Sequence, residues 1–227
     1  MTTRVNAALF DLAYAAVSKE ETRYYLNGVH IEAHPQKGAL LVSTDGHRMV
    51  VVHDVDGQCD RPAIVQLPTF ARQLCRTKKA SLGVDRRILE IDAELDRATV
   101  VIEALSKDGV VTKTTPLATA HKCLIDGSFP DWRRVIPAGE MEPMSLAAFN
   151  PKLLADLGAV GARLGGGYSS TGPMYFLRAK GAEGMVPTVV RFSGVGHIFA
   201  VLMPMRADFD VAMPGFLTDA PVEAIAA

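Results

Sequence analysis

Long apolar runs, paired cysteines and a surplus of either charge are all missing from this 227-residue chain. No apolar stretch approaches the roughly 18–20 residues that span a bilayer. The first such stretch is broken by Asp11 and closes on Lys19-Glu20-Glu21, which is not the pattern of a secretory leader. Cysteine is scarce and odd in number. Cys59, Cys75 and Cys123 have neither C-x-x-C nor metal-ligand spacing, so free thiols in a reducing cytoplasm are expected. Lys and Arg total 24 against 25 Asp and Glu, leaving a formal charge of −1. No global basic field announces a nucleic-acid ligand, and any such contact has to come from a local patch.

Signatures of catalysis are lacking too. The six histidines are scattered, with no H-E-x-x-H and no Cys/His cluster, so neither a metal nor another cofactor is expected. Gly165-Gly166-Gly167 is followed by Tyr168 and not by Lys-Ser/Thr, which reads as a helix stop and not a phosphate loop. Gly167-Tyr168-Ser169-Ser170-Thr171-Gly172 misses the nucleophile-elbow spacing by a residue. Asp45 and Asp131 sit in turns and form no acid/base pair by spacing. The expectation is a protein that is not an enzyme.

What is present is ample core material, 48% hydrophobic residues, enough for one large domain or two small ones. The densest signal is Ser43-Thr44-Asp45-Gly46-His47-Arg48-Met49, set between Gly38-Ala39-Leu40-Leu41-Val42 and Val50-Val51-Val52. Asp-Gly between two such runs predicts a tight hairpin that presents His47 and Arg48 beside its turn. Upstream, the spacing of Leu9, Leu12, Ala13, Ala16 and Val17 predicts a helix over 5–18. Residues 23–34 alternate like a strand with a break at Asn27-Gly28.

Downstream the pattern recurs. A short strand over 62–67 leads to a helix begun by Pro68 and running to about Lys79, followed by strands expected at 81–84, 88–95, 98–105 and 110–117. A third unit starts near Pro143 with a strand-like 144–149. Asn150 then caps a helix with Pro151 in its first turn and a stripe of Leu153, Leu154, Leu157, Val160 and Leu164. Strands are expected at 174–179, 186–192 and 197–203. Three strand–helix–strand–strand–strand units of roughly 55–75 residues imply internal repetition and an α+β fold, with helices packed on one face of antiparallel sheet. Residues 208–227 carry two prolines and no period, and read as an extended appendage.

Four segments occur in a telling order: Arg23-Tyr24-Tyr25-Leu26-Asn27-Gly28, Thr44-Asp45-Gly46-His47-Arg48, Phe129-Pro130-Asp131-Trp132-Arg133-Arg134-Val135-Ile136-Pro137 and Met203-Pro204-Met205-Arg206. Together they resemble signatures of the bacterial DNA polymerase III beta subunit, the sliding clamp family. Trp132 stands where that family has tyrosine, and Met49 and Ile136 where leucine is usual. The resemblance implies a DNA-clamp-like fold. It divides the chain into residues 1–137, similar to the middle domain, residues 138–206, similar to the second half of the third domain, and a tail from 207 to 227. Sequence near 90–120 is extra by comparison, and nothing resembles the family's first domain.

In the family, a hydrophobic cleft between the middle and third domains receives short linear peptides carried by polymerases, the clamp loader and repair proteins. The resemblance assigns to it Leu26, Thr44, Gly46, His47, Arg48, Met49, Pro130, Arg134, Val135, Val201, Met203, Pro204, Met205 and Arg206. Met49, Met203 and Met205 suit an exposed, adaptable lining, although methionine serves equally as core filling. Pro130 and Pro204 hold their loops in fixed shapes. Arg48, Arg134 and Arg206 are suited to backbone carbonyls or acidic flanks of a peptide.

Family helices line a ring whose basic residues contact duplex phosphates without reading sequence. On the second helix Arg72, Arg76, Lys78 and Lys79 fit that role, with solvated surface as the alternative. The first helix does not fit, since Asp11, Glu20 and Glu21 outnumber Arg4 and Lys19. The implied function is a cytoplasmic processivity factor for DNA replication that works as a homo-oligomer around double-stranded DNA. The alternative is an adaptor or decoy that binds clamp-binding peptides and never encircles DNA.

Overall fold

The structure, a computed structural model, describes residues 2–76, 85–144, 147–164 and 173–207. The chain opens with strand β1 (Thr2–Asn6), which alternates Thr3 and Val5 inward, and turns directly into helix α1 (Ala7–Ala13). The carbonyl oxygen of the Asn6 side chain accepts from the Ala8 and Leu9 amides at 2.9 and 3.2 Å. That cap fixes the helix start and corrects the expected helix over 5–18: Val5 belongs to the strand, and beyond Ala13 the chain tightens into a 3-10 turn, Tyr14–Ala16.

Residues 23–28 do not extend as expected. Arg23 bonds back to Glu20, the Asn27 side chain donates to the Glu20 carbonyl at 3.1 Å, and Tyr24–Leu26 close a 3-10 turn. Extended pairing starts with β2 (Val29–Ala33), just after Gly28, where a Cβ would meet the Val65 carbonyl at 2.8 Å. Strands β3 (Ala39–Thr44) and β4 (Arg48–Asp54) form the predicted hairpin.

Next come β5 (Ala63–Val65) and α2 (Thr69–Cys75), for which Pro68 is the cap and not the first helical residue. Strands β6 (Asp85–Asp92), β7 (Arg97–Leu105), β8 (Val111–His121) and β9 (Leu124–Ile125) follow. β6 stops three residues before its expected end because the Asp92 carboxylate accepts from the Glu94 and Leu95 amides, closing a turn. A 3-10 turn at Trp132–Val135 precedes β10 (Met141–Pro143). Instead of a strand over 144–149 the described residues show only this short β10, ended by Pro143, and an isolated bridge between Ala148 and Met205. Helix α3 (Pro151–Leu164) is capped as expected, the Asn150 side chain accepting from the Lys152 amide at 2.9 Å. β11 (Met174–Ala179), β12 (Thr188–Phe192) and β13 (Ile198–Leu202) complete the regular structure of the described residues. The expected strand at 81–84, the glycine stop at 165–167 and the appendage from 208 lie outside the described residues.

Two antiparallel sheets result, a four-stranded β1-β6-β7-β8 and a nine-stranded β10-β11-β12-β13-β4-β3-β2-β5-β9. The first two units exchange their leading strands, β1 pairing with β6 and β5 with β2. β10 stays beside β11 of its own unit. The units are not separate layers: β13 pairs with β4 from Ile198↔Val52 to Leu202↔Arg48, fusing the third unit to the first. One core runs through all three, from Phe10, Leu12 and Ala13 on α1 through Ile31, Leu41 and Val50 to Leu157, Val160, Val190 and Ile198.

Candidate functional site

The β3–β4 turn is held by its own side chains. Thr44 Oγ1 accepts from the Gly46 amide at 3.1 Å and donates to the Arg48 carbonyl at 2.8 Å. Asp45 Oδ1 accepts from the His47 and Arg48 amides at 2.9 and 3.0 Å. Gly46 has φ +88°, a conformation that glycine adopts without strain, and the Arg23 guanidinium lies against it. The turn therefore spans Asp45, Gly46 and His47, one residue more than the two-residue hairpin signal implies, and His47 is exposed at its tip.

β13 brings the chain's last described segment to this turn. Met49 pairs with Val201 and Arg48 with Leu202, and the Met203 amide donates to the His47 carbonyl at 2.9 Å. Two residues on, the Met205 amide donates to the Ala148 carbonyl at 2.8 Å. Thr44, Gly46, His47, Arg48, Met49, Val201 and Met203 thus meet at one place, although the paired Met49 and Val201 are 152 positions apart in sequence. 

Burial divides the expected lining in two. Met49 and Val201, each 2% exposed, pack with Leu40, Val42, Val51 and Trp132 in a second core cluster, with Phe129, Ile136 and Phe199 at its margin. Met49 is therefore core filling beneath the surface, a correction to its expected place in an exposed lining. Met203 and Met205 are 38% and 49% exposed. Trp132 lies under the Arg133 guanidinium at 4.2 Å, and its indole nitrogen has no hydrogen-bond partner among the described residues. Pro130, Arg134 and Val135 flank Trp132 and are exposed, with Arg134 bonded to Asp131 at 2.9 Å. Leu26 is buried and its carbonyl accepts from the Ser18 amide. Pro204, Met205 and Arg206 border a groove of about 600 Å³ with Met144, Arg178 and Met185.

Arg48 is not free for a ligand. Its Nε bonds Asp45 at 3.1 Å and its Nη1 bonds Asp156 of α3 at 2.7 Å. It joins the hairpin to the third unit.

The helices frame a second concavity, about 840 Å³, where Lys19, Arg48, Arg72, Arg76, Lys122 and Arg163 face Asp11 and Asp156. The Asp11 side chain is 2% exposed and pairs with Arg163 at 2.6 Å, Arg76 at 3.1 Å and Arg72 at 3.7 Å. Arg72 also lies over the Tyr14 ring at 4.7 Å, and burial pushes the Tyr14 hydroxyl above its ordinary pKa. Lys78 and Lys79 lie outside the described residues. In the sequence Asp11 reads as a break in the first apolar stretch and as an unfavourable charge on the first helix. Its place between Phe10 and Leu12 on the apolar face was the available sign that it is buried and paired. Lys122 has no sequence signal for this face, because only folding brings it there. Among the described residues no group of three His, Cys, Asp or Glu is placed to hold a metal, and no helix is long and apolar enough to cross a membrane.

Residues 5–131 match the family described as "DNA polymerase III beta subunit, central domain". The chain belongs to the beta sliding clamp family. The beta sliding clamp of Pseudomonas aeruginosa is 32% identical over 134 residues, 58% of this chain and 31% of that protein. That of Caulobacter vibrioides is 30% identical over 143 residues, 61% of this chain and 34% of that protein. The matched segment thus spans about a third of these curated sliding clamps. Solved sliding clamps share the fold over more of the chain. The Bartonella birtlesii clamp, solved bound to griselimycin, aligns with 91% of this chain and 66% of its own, with TM-score 0.57 and 20% identity. The Borrelia burgdorferi beta subunit, in complex with a natural product, aligns with 92% and 65%, with TM-score 0.59 and 14% identity. The chain shares the α+β fold of these solved clamps.

Proposed function

We propose that this chain is a sliding-clamp-like processivity factor. It binds linear peptides of polymerase and repair partners at the surface where the β3–β4 turn meets residues 203–206, and as a cytoplasmic homo-oligomer it encircles duplex DNA without reading sequence. The observation that carries the first part is the β4–β13 pairing, which sets His47 beside Met203 and leaves the Met203 and Met205 side chains exposed above a packed floor. Exposed thioethers on a rigid floor adapt to differing apolar side chains. Within this reading, residues 1–137 act as a middle-domain equivalent and residues 138–206 as half of a third domain. Polymerase tethered in this way rebinds before it diffuses away.

Retention on DNA tests the second part. The full chain is mixed with nicked circular and with linear duplex of the same length, then challenged with salt, because only a topological link depends on ends. Salt-resistant retention on circles that is lost on linearisation is the expected result. Equal, salt-sensitive binding to both forms, or none, overturns encirclement.

One observation favours the alternative of an adaptor or decoy that never encircles DNA. Arg72, Arg76 and Arg163, three of the cations on the helix face, already share the Asp11 carboxylate. Under that alternative, peptide binding persists while neither DNA form is retained.

A further inference from the structure

The helix-side concavity of about 840 Å³ holds six Lys and Arg side chains against Asp11 and Asp156, a local excess of four positive charges on a chain whose formal charge is −1. Its cations are of two kinds. Lys19 and Lys122 are exposed and have no ion pair among the described residues. Arg72, Arg76 and Arg163 instead converge on the buried Asp11 carboxylate. Arg163 holds it most closely, at 2.6 Å, and its second terminal nitrogen faces the Asp11 backbone carbonyl at 3.5 Å, so this arginine is fixed between α3 and α1. Arg76 is half exposed at 3.1 Å and Arg72 partly exposed at 3.7 Å. The Arg72 Nε has no hydrogen-bond partner among the described residues, and the Tyr14 ring holds its guanidinium in place.

An excess of guanidinium and ammonium groups in one concavity matches a phosphate-bearing ligand, to which arginine presents paired donors. Asp11 opposes such a ligand. Its carboxylate already accepts from these arginines, cancels one of their charges, and is too deeply buried for salt to screen it well. Contacts from Arg72 and Arg76 to a phosphate are therefore weakened, and phosphate contacts that read no sequence let a protein slide along a duplex.

We propose that Asp11 is an internal counter-anion that lowers the affinity of the helix face for phosphate, leaving Lys19 and Lys122 to make the stronger contacts and Arg72 and Arg76 the weaker ones. That the phosphates are those of an encircled duplex rests on the function proposed above. The competition of Asp11 with phosphate for the same guanidinium groups does not.

The test titrates sodium tripolyphosphate into the full chain and into Asp11→Asn, following the arginine Nε–Hε resonances by NMR, with an unfolding midpoint for each protein. The expected result is a saturable shift at Arg72 and Arg76, none at Arg178 on β11, which lies outside the concavity, and a dissociation constant about two- to fivefold lower in the variant. An unchanged or higher constant in folded Asp11→Asn overturns the proposal, as does the absence of a shift in both proteins. Shifts spread over all the arginines, Arg178 included, show binding to charge in general and overturn it too.

A second comparison leaves the buried carboxylate in place. Lys122→Gln and Arg76→Gln each remove one exposed cation from the concavity. Lys122→Gln is expected to weaken tripolyphosphate binding about threefold, and Arg76→Gln by less than about 1.5-fold, because Asp11 already balances Arg76. Equal losses overturn the proposal. Retention of duplex circles under the salt challenge separates this proposal from the reading it rests on. Loss of retention together with the expected tripolyphosphate series removes encirclement and leaves the role of Asp11 standing. Retention with identical constants for the unmodified chain and Asp11→Asn removes the role of Asp11 alone.

Discussion

Arg163 on α3 and Asp11 on α1 are 152 positions apart in sequence and 2.6 Å apart in space. Their ion pair closes the third unit against the first on the helix side, as Arg48–Asp156 does beside the hairpin. A carboxylate this deeply buried is tolerable because three guanidinium groups surround it, and removing its charge leaves those groups without their counter-ion. Asp11→Asn is expected to lower the unfolding free energy by about 2 kcal/mol, below the range for fully buried pairs because the arginines are partly exposed. Urea denaturation measures it. A loss within 0.5 kcal/mol, the usual scale of a neutral surface change, would show that the cluster holds nothing together.

Arg48 and Asp156 should couple energetically. A double-mutant cycle with Arg48→Ala and Asp156→Ala is expected to give a coupling of about 1 kcal/mol, since Asp156 is near half exposed and Arg48 keeps Asp45 as a second partner. Zero coupling would remove this pair from the contacts that join the units.

Met49 and Met205 separate floor from surface. Met49→Ala is expected to cost about 2–3 kcal/mol of stability through a cavity under the β4–β13 pairing. Met205→Ala should cost less than about 0.5 kcal/mol. Equal losses in thermal or urea unfolding would contradict the division of the two residues between core and surface.

Much of this was legible in the sequence. Asp45-Gly46 between β-branched runs marked the hairpin, and Asn150-Pro151 marked the start of α3, because both signals are local backbone chemistry. β1 was missed because five residues carry little alternation and Asn6 was counted within the helix, not as its cap. The β4–β13 junction depends on two distant strands. Its only trace was the apolar run of β13 and that of Met49 to Val52 within β4, as in strands buried on both faces. The Asp11 cluster has no sequence trace beyond one charge on an apolar face, since its arginines come from two other helices.

The acid limb of stability should show two steps. Burial holds His30 below its ordinary pKa of 6.5 despite the opposing pull of Glu32. The folded state therefore binds fewer protons there than the unfolded state, and stability falls as pH drops below about 6.5. For Glu103, burial raises the pKa, but the hydrogen bonds from Arg86 and Arg4 outweigh it and hold the carboxyl below 4.5; Glu32 is lowered likewise, burial being outweighed by Arg133 and His30. Stability from these groups is present above about 4.5 and is lost as pH falls through their lower folded values. His30→Gln should abolish the upper step and Glu103→Gln should reduce the lower one. Denaturation midpoints from pH 3 to 8 measure both, and a flat profile would contradict the paired placement of these groups.

Thiol reactivity reports on the core. Burial pushes the Cys75 thiol up to about 12, and raises Cys59 and Cys123 as well. With Cys75 and Cys123 buried, only partly exposed Cys59 is expected to react with a thiol reagent at pH 8 on a timescale of minutes, and all three after denaturation. Fast labelling of Cys75 in the native protein would contradict the packing of α2.

Peptide binding is the most direct test of the central proposal. A synthetic peptide copying the clamp-binding segment of the host's replicative polymerase is titrated by fluorescence anisotropy into the full chain, into Met205→Asp and into Val135→Asp, alongside unfolding midpoints. The expected result is saturable one-to-one binding by the unmodified chain, weakened at least tenfold by Met205→Asp, a loss of about 1.4 kcal/mol, with the fold intact. Absence of saturable binding by the unmodified chain would contradict it.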